Sequence, residues 1–290
     1  MSVRQRKTVV LLQRLLLLFV AVHLVIIFTV GPPYPGWLGF AAAIGVFLGS
    51  YVLGADARRE AKASAPPAPV EIAPPVTGRW SALNSPADKV PSHGTRAYGQ
   101  AYAIDITAEP EEGPARPAFA WLWPVARGNR AFPAFGAPLL AVADATVVHA
   151  EDGQRDHLSR NSLAGVLYLM VVEGFGRSLG GARRIVGNHV ILDLGENTYA
   201  VYAHVQQGSL AVRAGDRVVS GQRLGGCGNS GNSTEPHVHF QLMDGPDLDT
   251  ARGVPFSWRG VGVPANGEKF TVDASDAVGA AAEEASGKVN

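Results

Sequence analysis

Cysteine is nearly absent from this chain. Cys227 is the only one in 290 residues, which excludes an intrachain disulfide and a cysteine-rich zinc site and leaves the redox compartment open. Charge is scarce too. Acidic and basic residues make up 17% of the chain, and 25 of each sign cancel to a formal net charge of zero. No basic patch with interleaved aromatics occurs, so nucleic acid is excluded as a partner. There is no internal repeat and no long amphipathic helix in the C-terminal two thirds. With 34 glycines and 20 prolines, the balance favours short strands and turns over long exposed helices.

What the chain has in quantity is apolar residues, at 47%, and they are concentrated at the N-terminus. From Thr8 to Val30 the run is broken only by Gln13, Arg14 and His23, and it is long enough to span a bilayer. Arg14 can snorkel towards the basic N-terminal end. The run is too long for an ordinary signal peptide, and no small-x-small cleavage site follows it. A second stretch, Leu38 to Ala55, is shorter and richer in Gly and Ala. Residues 1–57 therefore read as a membrane anchor of one or two helices, with Tyr34 and Trp37 at the interface. Arg4, Arg6 and Lys7 precede the first segment, and Arg58, Arg59 and Lys62 follow the second. For a two-helix hairpin, the positive-inside rule puts both ends and all that follows in the cytoplasm; with a single span, the remainder is exported. Residues 58–90, with Ala63-Ser-Ala-Pro-Pro-Ala-Pro69 near their start, read as a semi-extended linker. The Ala/Glu/Gly-rich tail, 273–290, reads as disordered.

Between residues 91 and 272 short alternating apolar runs are punctuated by Gly, Asp and Asn. Val190-Ile-Leu-Asp-Leu194 leads through Gly195-Glu-Asn197 into Thr198-Tyr-Ala-Val-Tyr-Ala-His204, a strand, turn, strand pattern. Val212 to Leu224 reads as a further pair of short strands, and Leu167 to Val172 as a continuous apolar run of the same series. The expected fold is mainly β, an antiparallel sheet or sandwich.

Within it lies His237-Val-His239, preceded by a Gly/Asn/Ser turn and Pro236. Side chains two apart on a strand share a face, so the two imidazoles can converge on a small tetrahedral cation such as zinc. Val238, Phe240 and Leu242 alternate on the opposite face. Asp105 interrupts the apolar strand Tyr102-Ala-Ile-Asp-Ile106, where a carboxylate is costly unless it is paired or ligated. His93 stands twelve residues earlier in a turn-like Ser-His-Gly-Thr. His204 ends an apolar strand, while His149, His157 and His189 carry no pattern of their own and read as ordinary sheet or turn residues.

Taken in order, Gly187-Asn-His-Val-Ile-Leu-Asp193, Tyr202-Ala-His204, Val212-Arg-Ala-Gly-Asp-Arg-Val-Val-Ser-Gly-Gln-Arg-Leu-Gly225 and Gly228-Asn-Ser-Gly-Asn-Ser-Thr-Glu-Pro-His-Val-His-Phe240 resemble the M23 zinc metallopeptidases, the lysostaphin-type or LytM-domain cell-wall endopeptidases. The resemblance covers most of residues 91–245. It implies zinc held by a histidine, Asp105 and His239, with His204 and His237 assisting catalysis. The first ligand, in much of the family four residues before the aspartate, is replaced here by Ala101; His93 is the candidate, with Gln100 a poorer substitute because a neutral amide binds zinc weakly. Glu235 stands where the family usually has Gly, and Gln241 where it often has Glu. The implied activity is zinc-dependent hydrolysis of peptide bonds in peptidoglycan stem peptides or cross-bridges, with the domain outside the bacterial cytoplasmic membrane. The alternative is a catalytically inactive LytM-like domain that binds cell wall or regulates a partner. An H-E-x-x-H arrangement is absent. A biotinyl or lipoyl-like carrier is excluded because no lysine lies between Lys89 and Lys269.

Overall fold

The computed structural model describes residues 1–63 and 68–277. Two long helices open the chain. Helix α1 (Val3–Thr29) starts at a capping box, in which the Ser2 hydroxyl accepts from the Gln5 amide and the Gln5 side chain accepts from the Ser2 amide. It stops at Gly31, which adopts φ +75°, followed by two prolines. Helix α2 (Trp37–Ala63) returns antiparallel beside it. Both are long and apolar enough to cross a membrane, with mean hydropathies of 2.5 in Arg4–Thr29 and 1.9 in Trp37–Asp56. Polar residues of α1 meet α2: Arg6 pairs with Asp56 at 2.8 Å, and Gln13 donates to Ser50 at 2.8 Å. His23 is buried against Gly39, where a Cβ would overlap its ring, and meets the Tyr34 hydroxyl at 3.0 Å. The small residues of the second stretch thus allow close helix packing.

The β domain begins earlier than residue 91. Strands β1 (Val70–Ile72) and β2 (Gly78–Leu83) both fall inside the stretch expected to be linker, which is corrected here. Proline-flanked strands this short leave too little alternation to be seen in sequence, yet Trp80 of β2 is fully part of the core. Residues 64–67 of that stretch lie outside the described residues. There follow β3 (Ile104–Ala108), β4 (Pro138–Leu140) and β5 (Ala145–Glu151). Next come three short helices, α3 (Leu163–Tyr168), α4 (Gly174–Leu179) and α5 (Ala182–Val186). The chain continues with β6 (His189–Asp193), β7 (Tyr199–Ala203), β8 (Arg217–Val218), β9 (Arg223–Gly226) and β10 (Val238–Met243). It finishes with β11 (Gly253–Val254), β12 (Phe256–Trp258), β13 (Lys269–Val272) and one turn, α6 (Ala274–Ala277). Of the tail expected to be disordered, residues 278–290 lie outside the described residues.

The main sheet runs β13-β2-β3-β10-β7-β6-β5-β8, with β11 on β10, and every pairing in it is antiparallel. The β6–β7 turn is made by Glu196 and Asn197, both at positive φ, as a two-residue hairpin with right-handed strand twist requires. Two small pairs, β4–β9 and parallel β1–β12, cover one face. Strands β8 and β9 do not pair with each other: β8 joins β5, and β9 crosses to β4 in the second layer. The core between the layers centres on Phe240, whose ring meets Tyr202 at 5.3 Å and Phe256 at 5.1 Å, both edge-on. The Tyr202 hydroxyl ties the layers together by donating to the Leu140 carbonyl at 2.8 Å and accepting from the Val142 amide at 3.0 Å. Cys227 is buried beside this seam, and burial pushes its thiol pKa up.

Leu167 to Val172 is helical, not a strand. Ser162 caps α3 by accepting from the Gly165 amide at 3.0 Å, and Leu169–Glu173 carries the helix on as a π-turn into α4. Within Leu167 to Val172 only Val171 and Val172 are β-branched, so propensity does not oppose the helix.

If β2 is part of the core, Trp80→Ala should lower unfolding free energy by about 3–5 kcal/mol in denaturant titration. A change within about 0.5 kcal/mol, as at an exposed linker position, would contradict the packing described.

Candidate metal centre

Strand register brings the predicted residues together. Asp105 on β3 stands directly opposite His239 on β10, and β7, which delivers His204 just past its end, flanks β10 on the other side. The Asp105 carboxylate Oδ1 is 2.9 Å from His239 Nδ1 and 3.4 Å from His237 Nε2; Oδ2 is 2.9 Å from His93 Nε2 and accepts from Asn84 Nδ2 at 2.9 Å. Ligand atoms of His93, Asp105 and His239 all lie within 4.8 Å of one another, as do those of His204, His237 and His239. Gln100 instead offers its backbone carbonyl to the Ser92 hydroxyl at 3.4 Å.

The outer hydrogen bonds decide which nitrogen of each ring faces inward. Gln241 donates its amide to the Tyr98 carbonyl at 2.7 Å, so its Oε1 accepts from His239 Nε2 at 3.0 Å. His239 Nδ1 is then a bare lone pair aimed at an anionic oxygen. Ser92 acts likewise on His93. Its hydroxyl donates to the Gln100 carbonyl and meets His93 Nδ1 at 3.0 Å, leaving Nε2 towards Asp105. His204, at φ +58°, donates Nδ1–H to the Ser230 carbonyl at 2.8 Å, and His237 donates Nδ1–H to the Glu235 carbonyl at 2.8 Å. Each ring therefore turns Nε2, or Nδ1 for His239, to a common centre. Two imidazole lone pairs facing one carboxylate repel unless a cation or protons lie between them, and two nitrogens with one oxygen suit zinc. The residues fit the metal.

The electrostatics agree. Burial by itself would raise the Asp105 pKa, but His237 and His93 beside it, with the hydrogen bond from His237, hold it well below the usual carboxylate range. Burial keeps His204 neutral, its pKa pushed well below that of a free imidazole. His237 is also buried, yet Asp105 outweighs the desolvation and moves its pKa up.

Several contributors carry no sequence signal of their own. Asn84 is one, in the left-handed region at φ +47°, where asparagine is tolerated better than most residues. Glu235, the departure from Gly, has its carboxylate paired with Arg116 and bonded by Asn161 at 2.9 Å, so it steadies the turn before His237 rather than entering the centre. His157 lies elsewhere, between the Leu158 and Gly231 carbonyls. His149 and His189 stack at 4.5 Å on neighbouring strands beside Glu151. That carboxylate is already neutralised by Arg183 at 2.6 Å, and burial depresses the His189 pKa to about 4.

The family model for peptidase family M23 matches residues 170–250. Over that stretch the chain is similar to peptidase family M23. The matched M23 stretch contains His204, His237 and His239 and leaves out His93 and Asp105, which the fold alone brings to them. A curated relative, peptidoglycan DD-endopeptidase ShyA of Vibrio cholerae serotype O1, is 37% identical over 57 residues, 20% of this chain and 13% of that protein. The chain thus spans a small part of that relative's length. Among solved structures, the catalytic domain of the antimicrobial peptidase lysostaphin from Staphylococcus simulans is 20% identical, with 52% of this chain and 74% of that one covered and a TM-score of 0.29. The catalytic domain of the prophage-encoded M23 protein EnpA from Enterococcus faecalis, solved as a point mutant, is 22% identical, covering 47% and 94%, with a TM-score of 0.28.

The Gln241 lock on His239 yields a direct expectation. Gln241→Leu should weaken zinc binding about 10–100-fold in competition with a chromophoric chelator. Unchanged affinity would mean that His239 does not depend on that hydrogen bond for its orientation.

Proposed function

We propose that the domain is a zinc-dependent endopeptidase acting on peptidoglycan peptides, with His93, Asp105 and His239 as the metal ligands. The observation that carries this reading is the approach of His239 Nδ1 to the Asp105 carboxylate at 2.9 Å, with the other nitrogen of that ring on Gln241. Zinc in that position supplies Lewis acidity, polarising a peptide carbonyl and making water a better nucleophile at neutral pH. The chain's own groups do the rest. His204 is neutral and its Nε2 is unprotonated, so it accepts a proton from the attacking water. His237 is biased towards its charged form by Asp105, so its Nε2–H donates to the oxygen on which negative charge develops. Ser230 and Glu235 hold the two rings in these orientations through their carbonyls. The substrate class rests on the family and on the likeness to ShyA, a peptidoglycan DD-endopeptidase.

The α1–α2 hairpin is read as the membrane anchor, with the domain on the wall-facing side where this substrate lies. The cations at the hairpin ends oppose that side under the positive-inside rule. In the folded protein, however, Arg6, Lys7 and Arg14 are each paired with an aspartate: Asp56, Asp247 and Asp249. Protease added to intact spheroplasts should digest the domain; complete protection would place it inside the cell and remove peptidoglycan as substrate.

The decisive test uses the full chain in detergent, assayed for bound metal and for release of amino groups from purified peptidoglycan. Wild type should carry one zinc, and His93→Ala and Asp105→Ala should lose it. His204→Ala should keep the metal while turnover falls about 10²–10⁴-fold. A folded, zinc-free wild type, or full turnover without His204, would defeat the proposal and leave a non-catalytic wall-binding domain.

A further inference from the structure

One surface of the domain is built against the usual rules for a face in water. Trp121, Leu122 and Trp123 are 73%, 80% and 82% exposed, and Met170 and Val171 on the helical run are 69% and 70% exposed. The two segments that carry them are stitched together near their starts. The Ala120 amide donates to the Asn161 carbonyl at 3.2 Å, the Leu163 amide to the Ala120 carbonyl at 3.1 Å, and the Ser162 hydroxyl to the Val125 carbonyl at 2.6 Å. An apolar face with this many large side chains marks a contact surface.

Three observations say what covers it. First, the patch is continuous with the anchor: the helix bearing Met170 and Val171 runs directly into α4, and α4 packs on α1. Second, the domain grips α1 within its apolar span. Lys7 pairs with Asp247 at 2.6 Å, and Arg14 pairs with Asp249 at 2.5 Å. Seven residues of helix separate those cations, about 10 Å of rise. A domain holding both reaches from the start of the span to one or two turns inside it, which is the depth of the headgroup and upper acyl region. Third, the composition suits a lipid boundary. Trp121, Trp123 and Tyr168 are the interfacial aromatic types. The polar side of the same helix overlies a cavity of about 510 Å³ whose lining includes Arg155, Arg160, Arg177 and Arg184 but only two acids, Glu151 and Glu173. Aromatic and aliphatic residues outward with excess cations beneath is the pattern of a helix lying in an anionic membrane surface.

We propose that this face inserts into the bilayer that holds the hairpin, so that the domain is fastened to lipid at a second place and is not merely tethered. The inference rests on the hairpin being a membrane anchor. The two are separable because tryptophans report each: Trp37 begins α2, Trp121 and Trp123 lie in the patch, and Trp80 and Trp258 are buried in the core. The full chain is reconstituted into phosphatidylethanolamine/phosphatidylglycerol vesicles with acyl chains brominated near the headgroup, and emission is compared with unbrominated vesicles. Trp37→Phe retains four of the five tryptophans. Bromination should still remove about half of its emission, from the two that reach the interface. Adding Trp121→Phe and Trp123→Phe should abolish that loss. If Trp37 accounts for all quenching in wild type, the patch stays out of lipid and the proposal falls, leaving the face to a protein partner. If wild type is not quenched at all, the anchor reading fails first and this proposal with it.

Discussion

A buried carboxylate surrounded by imidazoles is the constraint on which the site depends. Asp105 lies in the interior of a sheet, where an isolated negative charge is costly, and His93, His237 and His239 converge on it. Strand register sets the most important of these pairings, since Asp105 and His239 are directly opposite on antiparallel neighbours. A slip of one residue would move His239 to the other face and put Val238 or Phe240 beside the carboxylate. Hydrophobic packing prevents the slip: Phe240 fills the core between the layers, and Met243 belongs to a second cluster with Val186, Val201 and Leu248 on the opposite face. The centre is thus held by residues that never touch it.

The same strand shows why the site is shielded from bulk solvent. All six residues of β10 are buried, so neither of its faces is open to solvent. The Ser230 carbonyl fixes the ring of His204, and the Val186 carbonyl at the end of helix α5 holds its backbone amide. Exclusion of water strengthens each charge interaction at the centre and keeps His204 neutral; it opposes the charge on Asp105, and the neighbouring histidines outweigh it.

Much of this was legible in the sequence, for identifiable reasons. His237 and His239 stand two apart in an apolar strand, Asp105 interrupts another, and His204 ends a third; period-two patterning reports such positions directly. The hairpin was legible because long apolar runs have few other uses. What stayed hidden depends on distant partners. β2 looked like linker because its apolar residues gain meaning only from β3 and β13 on either side. Leu167 to Val172 was read with the strands because a short apolar run has no period, and its cap at Ser162 lies outside the run. Val212 to Leu224 showed two strands, but nothing local reveals that they leave for different layers. Asn84, Ser92 and Gln241 act by holding ligands, and Ser230 acts only through a backbone carbonyl, which any residue could provide.

The early start of the domain at Val70 sets a working radius. Helix α2 ends at Ala63, so seven Cα steps join anchor to domain, at most about 25 Å of fully extended chain. The stretch of 33 residues first read as linker would have allowed about 110 Å. With the hairpin anchored as proposed, a centre on so short a leash stays in a shell next to the bilayer.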